Sequence, residues 1–295
     1  MIWKPRFSEI TVISLALGMS SIVTGQNSQQ EIEEIEIFAD SRRTEGITNV
    51  NAAISVLGEE ELDLILQTHY QEALARVPGF SGNRNNGQES LMALRSPVLT
   101  GAGACGAFLI AENGIPVRSA GFCNVNEMFD THSEYAQSIE VIRGPASAFW
   151  GSNALHGLVN VRLPDPGEIG ELTLEQGPRG SYRTKAAIGS DSGNFKQSLY
   201  LTGINEEGYR DDSGVDQQKA SWLYEYTLAN GIKMEGGFTY NNLNQETAGY
   251  VAGAKAYEDG QKRGTNPNPE AYRDSQSTRV WTRFTMESGD WEYIA

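Results

Sequence analysis

Two cysteines and three histidines in 295 residues leave this chain little thiol or imidazole chemistry. Cys105 and Cys123 lack C-x-x-C spacing, and His69, His132 and His156 are scattered, so no redox pair and no metal centre is expected. Cations are scarce as well: 23 Lys and Arg stand against 38 Asp and Glu, a net charge of −15. Neutralising phosphates takes clustered cations, which argues against nucleic acid as a partner. No long hydrophobic run follows the N-terminus. A helical span needs about 20 mostly apolar residues, so a membrane-integral form of this chain must cross as β-strands. A convergent set of nucleophile, base and carboxylates is missing too. Asp211-Asp212 and Glu206-Glu207 fall in one polar stretch and read as solvated charge, so no enzyme is expected and no cofactor is implied.

The N-terminus is laid out for export. Lys4 and Arg6 precede the apolar run Ile10–Val23, with a cleavage site at Val23-Thr24-Gly25, which makes residues 1–25 a secretory signal peptide. An uncleaved anchor is the alternative, but the run is short and rich in Ser and Gly. Export brings an oxidising compartment, where cysteines pair. Phe108–Ala111 and Ile115–Val117 flank Asn113-Gly114, the strongest short hairpin signal. A two-residue turn there sets Cys105 opposite Phe122, one place off Cys123, so a bridge needs a bulge or an end to the pairing. The expectation is a Cys105–Cys123 disulfide, contributing roughly 3 kcal/mol on the chain-entropy model.

Gln26–Glu34 is polar and acidic and reads as a disordered leader. Glu34, Ile35, Glu36, Ile37, Phe38 and Ala39 then show strand-like alternation with no evident partner. Ala53–Leu57 has strand character, and Glu59–Leu66 reads as a helix with an acidic first turn. Tyr70, Ala73, Leu74 and Val77 form a helical stripe stopped by Pro78-Gly79. Ser90–Arg95, the hairpin and Ser138–Arg143 complete a small mixed sheet with helices, an α+β domain over residues 50–165.

The run Ile139–Val161, IEVIRGPASAFWGSNALHGLVNV, carries the most information. Ile139, Val141 and Leu158–Val161 supply strand residues, and Gly144-Pro145 breaks the first strand. The wording resembles the end of the plug domain of TonB-dependent outer-membrane receptors, V-x-R-G-P-x-S-x-x-Y-G-x-x-A-x-G-G-x-I-N. Arg143, Gly144, Pro145, Ser147, Gly151, Ala154, Gly157 and Asn160 stand in those places. Trp150 replaces the Tyr, His156 the first Gly of the pair, and Val159 the Ile. QEALARVPGF resembles the family phrase L-x-x-V-P-G-V. Ser96 stands where the family has Gly after Arg95, and Asn113 where it has Asp; both departures touch loop shape.

The resemblance implies roles for several residues. Glu34–Ala39, within an N-terminal extension of residues 26–49, occupies the position of a TonB box. Such a box would be loosely held and captured by a periplasmic energising protein through strand addition; an ordinary edge strand is the alternative. Arg95 and Arg143 would be buried cations held by barrel-wall carboxylates, locking plug to barrel, with ligand contact as the alternative. Gly144, Pro145 and Gly151 would be turn residues.

From residue 166 the texture changes. Trp222, Tyr224, Tyr226 and Leu228 alternate with Ser221, Leu223, Glu225 and Thr227, and similar alternation runs through 232–240 and 279–287. Segments of about ten residues with period two are the mark of transmembrane β-strands, although soluble antiparallel sheets share it. With 32 Gly and 12 Tyr the composition suits many turns and aromatic girdles. Connections around 190–194, 229–231 and 288–290 look short, while 205–217 and 244–276 look long and polar. Residues 166–295 can supply about seven such strands, against the roughly 22 that close a barrel of this class. The expectation is an incomplete receptor whose barrel begins here.

A receptor of this family takes up a scarce solute actively: iron–siderophore, cobalamin, haem or oligosaccharide. Its partners would be a TonB-type protein, outer-membrane lipid and the imported ligand, in a Gram-negative outer membrane with plug and N-terminus on the periplasmic side. A passive porin or surface adhesin with a plug-like domain is the rival reading; a secreted β-rich hydrolase lacks a site.

Overall fold

The computed structural model describes residues 36–39, 45, 46, 48, 50, 52–84, 87–95, 108–118, 127–289 and 291–295. The signal peptide, Glu34, Ile35 and both cysteines lie outside the described residues, and with them the expected disulfide.

Two short strands, β1 (Glu36–Ile37) and β2 (Glu45–Gly46), pair with each other ahead of the plug. β3 (Ile54–Gly58) leads into helix α1 (Glu59–Ile65), and α2 (Tyr70–Leu74) follows. The His69 ring accepts from the Gln71 N–H at 3.1 Å, capping α2. Next come β4 (Phe80–Arg84) and β5 (Ser90–Leu94), which form a separate antiparallel pair. β4 was not foreseen, because Pro78-Gly79 reads as a helix stop and hides the strand behind it. β6 (Phe108–Glu112), β7 (Ile115–Pro116), β8 (Ser138–Arg143), α3 (Ser147–Trp150) and β9 (Gly157–Arg162) complete the plug. Asn113 and Gly114 both have positive φ, 50° and 76°, as a tight two-residue hairpin requires.

The central sheet has the order β3-β8-β9-β6-β7, with β6 and β9 parallel and the other neighbours antiparallel. Such a sheet is buried on both faces, so its strands are continuously hydrophobic rather than alternating. Phe108, Ile110, Ile139, Val141, Val159 and Val161 face one core with the α1 and α2 residues Leu62 and Leu74. Leu109, Ala111, Ile142 and Leu158 face another with Trp150 and Ala39. At the β8–β9 junction Gly157 has φ +147°, and a Cβ there would lie 2.2 Å from the Ile142 carbonyl oxygen. Gly144 has φ +150° but open space around it. Gly157→Ala is therefore expected to destabilise the plug by about 2–5 kcal/mol, against about 1–3 for Gly144→Ala. Denaturant midpoints of the two variants measure the difference; equal losses would mean that the close approach at Gly157 carries no weight.

The remaining strands form one open antiparallel sheet in sequence order. They are β10 (Gly170–Gln176), β11 (Tyr182–Asp191), β12 (Phe195–Glu206), β13 (Val215–Thr227), β14 (Lys233–Glu246), β15 (Tyr272–Ser288) and β16 (Trp291–Ile294). Its two faces are sorted opposite to a soluble protein. Thr202, Gln217, Lys219, Ser221, Thr239 and Asn241 are buried against the plug, while Leu172, Leu174, Ile188, Trp222, Phe238, Val280 and Phe284 point away and are exposed. Connections alternate as expected, short at 192–194 and 228–232, longer at 207–214 and 247–271. The longer ones are tighter than their polarity suggests, because pairing continues through polar residues such as Asn205–Asp216 and Asn244–Asp274. Ladder bonds are made by the backbone, and outward amides link up as well: Asn242 donates to Gln218 (2.7 Å) and accepts from Gln276 (3.0 Å). Among the described residues no helix is long and apolar enough to cross a membrane.

Candidate functional site: the plug, its N-terminal segment and its seat on the wall

Residues 36–39 lie against the β8–β9 face that carries Glu140 and Asn160. Glu140 is fully buried and accepts from the Phe38 N–H at 3.0 Å. Its other oxygen takes a hydrogen bond from Asn160 Nδ2, also 3.0 Å, and Asn160 Oδ1 accepts from the Gly114 N–H. Burial pushes the Glu140 carboxyl up, with Asn160 and the Phe38 N–H opposing it. The Trp150 indole donates to the Ala39 carbonyl at 2.7 Å. Ile37 and Ala39 are wholly buried, which for the isoleucine stabilises by roughly 1.5–3 kcal/mol. The Phe38 ring lies between Arg162 of the plug and Arg283 of β15, 5.8 and 5.0 Å from their guanidinium carbons. Arg283 also donates to the Asn113 carbonyl. The loose anchoring expected of this segment is thus corrected for residues 37–39. The sheet offers it a buried acceptor, Glu140, and an apolar hollow that draws on Leu109, Ala111, Ile142, Trp150 and Leu158, all remote in the chain.

The family-phrase residues shape that hollow. Gly151 (φ +78°) ends α3 and brings Trp150 over Ala39, and Asn160 joins Glu140 to the hairpin. Ser147 and Pro145 stand in the turn and first residues of α3. Arg95 and Arg143 do not act as expected. Arg95 is exposed and donates to the Arg143 carbonyl (3.0 Å), while Arg143 Nη2 reaches the Ile54 carbonyl at 3.3 Å. Among the described residues neither pairs with a wall carboxylate.

The polarity of the lock is instead reversed. Plug carboxylates meet wall cations. Lys219 of β13 is buried and donates to both oxygens of Glu134, at 2.9 and 3.1 Å, and to the Thr131 carbonyl at 2.7 Å. Arg279 of β15 binds Glu112 at 2.7 Å, and Arg273 pairs with Glu89. The Glu112 carboxylate further accepts from Thr239 and from the His132 N–H. Burial works to raise the Glu112 and Glu134 carboxyls, but Arg279 in one case and Lys219 in the other, together with His132 and the hydrogen bonds each carboxylate accepts, hold both below the ordinary value. His132 is enclosed, with Ser221 Oγ 2.9 Å from Nδ1 and Thr202 Oγ1 2.8 Å from Nε2. Burial lowers its pKa to about 4, so the ring is neutral at pH 7. Asp130 accepts from Asn241 and Ser277, and Gln217 donates to the Phe129 carbonyl. Most of these plug groups come from residues 127–135, whose close run of Glu127, Asp130, His132 and Glu134 was the one available sequence signal and was missed.

Comparison with known proteins agrees with this architecture. The family model described as TonB-dependent Receptor Plug Domain matches residues 47–158. Residues 47–158 are thus similar to the plug of TonB-dependent receptors. The chain is 28% identical over 171 residues to the vitamin B12 transporter BtuB of Photobacterium profundum, covering 56% of this chain and 27% of that protein. Its fold resembles that of Pseudomonas aeruginosa FpvA bound to a heterologous ferric pyoverdine, with a TM-score of 0.70 at 14% identity over 86% of this chain and 34% of that one. It also resembles the ferric citrate transporter FecA in its unliganded form, with a TM-score of 0.68 at 17% identity over 86% and 40% of the two chains. The chain thus spans about a quarter of the curated relative and little more than a third of these structures. What matches is the plug and one part of the barrel.

Proposed function

We propose that this receptor imports a scarce solute across a Gram-negative outer membrane, driven by a TonB-type protein that captures Glu34–Ala39. The observation that carries this reading is the plug seated through buried polar contacts on the inner face of barrel strands, which suits a gated importer better than an open pore. The outward face supports the membrane setting. Outward apolar residues such as Met234–Tyr240 and Val280–Met286 span about seven positions per strand, alternating with inward ones, and at a rise near 3.3 Å and a tilt near 40° they form a band of about 18 Å. With the plug entering from the periplasm, the short turns lie on that side and the connections 177–181, 207–214 and 247–271 on the other. FpvA, which shares the fold, is the ferripyoverdine receptor of the outer membrane of its organism, and BtuB carries vitamin B12. The solute here belongs to the same broad range of iron chelates and cobalamin.

Because Ile37–Ala39 are seated in the plug, capture requires them to leave Glu140 and Trp150 first. Ile35→Pro removes one backbone donor from the segment to be captured. Cells carrying the receptor are to be offered ferric pyoverdine, ferric citrate, haem and vitamin B12 in turn. For whichever is taken up, Ile35→Pro is expected to abolish energised uptake and leave surface binding intact. Normal uptake by the proline variant would overturn the assignment of the segment and favour a passive pore.

A further inference from the structure

On the rim of the longer connections a cavity of about 270 Å³ opens between the tip of the β4–β5 pair and the segments 177–181 and 207–214. Its charged lining is Arg84 from the plug, Arg179 and Arg210 from the two connections, and a single acid, Glu206. A second cavity of about 240 Å³ adjoins it, shares Arg84, Arg179 and Glu206, and adds Arg183 and Glu175, which pair with each other. Three cations to one acid is the reverse of the chain as a whole, where 38 acids outnumber 23 bases. Two of the guanidiniums, those of Arg210 and Arg179, are also held in place. Arg210 donates to the Thr265 carbonyl at 2.7 and 2.9 Å and to the Gly249 carbonyl, and its backbone N–H is taken by Ser213 Oγ. Carbonyls fix the group without cancelling its charge. Arg179 stacks on the Tyr209 ring, 5.4 Å from its centroid. Among the described residues the ion pairing of Arg84 is a 4.0 Å approach to half-exposed Glu72. Among the described residues Arg179 and Arg210 have no ion pair at all.

Rigid, under-neutralised guanidiniums around a concave site match the planar oxygens of carboxylates and phosphates. Taken together, the two cavities reach the size of small-ligand sites, which run from about 300 to 1,000 Å³. We propose that this site binds the multiply charged anionic portion of the imported solute, a small molecule bearing carboxylate or phosphate groups, between Arg84 of the plug and Arg179 and Arg210 of the wall. This rests on the receptor reading and names its substrate class. Glu206 balances the arginines when the site is empty and opposes the anion when it is filled. An anion spanning both sides ties the plug tip to the wall segments; a neutral glycan gains nothing from the arginines.

Tricarballylate, pyrophosphate and, as the neutral control, maltotriose are suitable probes, titrated into purified receptor in detergent by calorimetry. At least one anion is expected to bind saturably in the micromolar range while maltotriose does not, and which anion binds more tightly separates carboxylate from phosphate recognition. Arg179→Ala should weaken that binding about tenfold or more, and Glu206→Gln should tighten it severalfold. Opposite signs from two neighbouring variants exclude a general loss of fold, which unchanged circular dichroism checks. No saturable anion binding by the wild-type receptor, or binding untouched by Arg179→Ala, would overturn the proposal. Because no energised membrane is involved, that failure is distinct from a failure of the coupling test on Ile35.

Discussion

Lys219→Met should loosen the plug from its wall more than any other single change on this interface. The substitution keeps a long apolar stem and removes the ammonium, leaving Glu134 buried at the position where both of its oxygens were paired. Breaking a buried pair by deleting one partner costs about 3–5 kcal/mol, chiefly because the remaining charge is stranded. Hydrogen exchange of amides in β6, β8 and β9 should accelerate by about two to three orders of magnitude if the plug opens as a unit. Adding Glu134→Gln should recover much of that loss, since a neutral amide tolerates burial far better than a carboxylate. If the single and double variants exchange alike, the pair is not what seats the plug.

Acid should release the same interface in two stages. His132 is held neutral, its pKa lowered from 6.5 to about 4 by burial and by Lys219 and Lys185, against the opposing pull of Glu134 and Glu112. Ser221, Thr202 and the Tyr135 ring enclose it further. Between those two values an unfolded chain binds a proton at this histidine and the folded one does not. Stability is therefore complete above about pH 6.5 and falls toward pH 4, by on the order of 3 kcal/mol. Below that, Glu112 and Glu134, both depressed, lose their contribution in turn as they protonate. Plug unfolding followed against pH checks this, with His132→Gln as the control. The variant should flatten the dependence from pH 6.5 to 4 and keep the steeper fall below; an unchanged profile would remove the histidine from the account.

Neither effect could be anticipated from the chain alone, and the difference is one of range. The Asn113-Gly114 turn, the α2 stripe and the alternation in β13 and β14 are local patterns, each decided by residues within one element. They were legible as such. The β12–β13 and β14–β15 connections are shorter than their polar residues predict, because ladder hydrogen bonds are indifferent to side-chain character. Arg95 and Arg143 were misjudged for another reason: a motif names residue types, and which charge they meet depends on segments elsewhere. Glu112 and Arg279 are 167 positions apart, and Phe38 and Glu140 are 102.

By itself, then, the sequence determined the existence and kind of the elements, the plug phrase with its obligatory glycines, and the inside-out alternation of the wall strands. Backbone conformation and period-two burial are imposed over a few residues, so they can be read without partners. Only the tertiary structure decided that Ile37–Ala39 are seated rather than free, and that acids of the plug answer cations of the wall. It alone gathered Arg84, Arg179 and Arg210 around one cavity. Those arrangements exist because buried charges and backbone donors must find partners wherever the fold brings them, and distance along the chain carries no information about that.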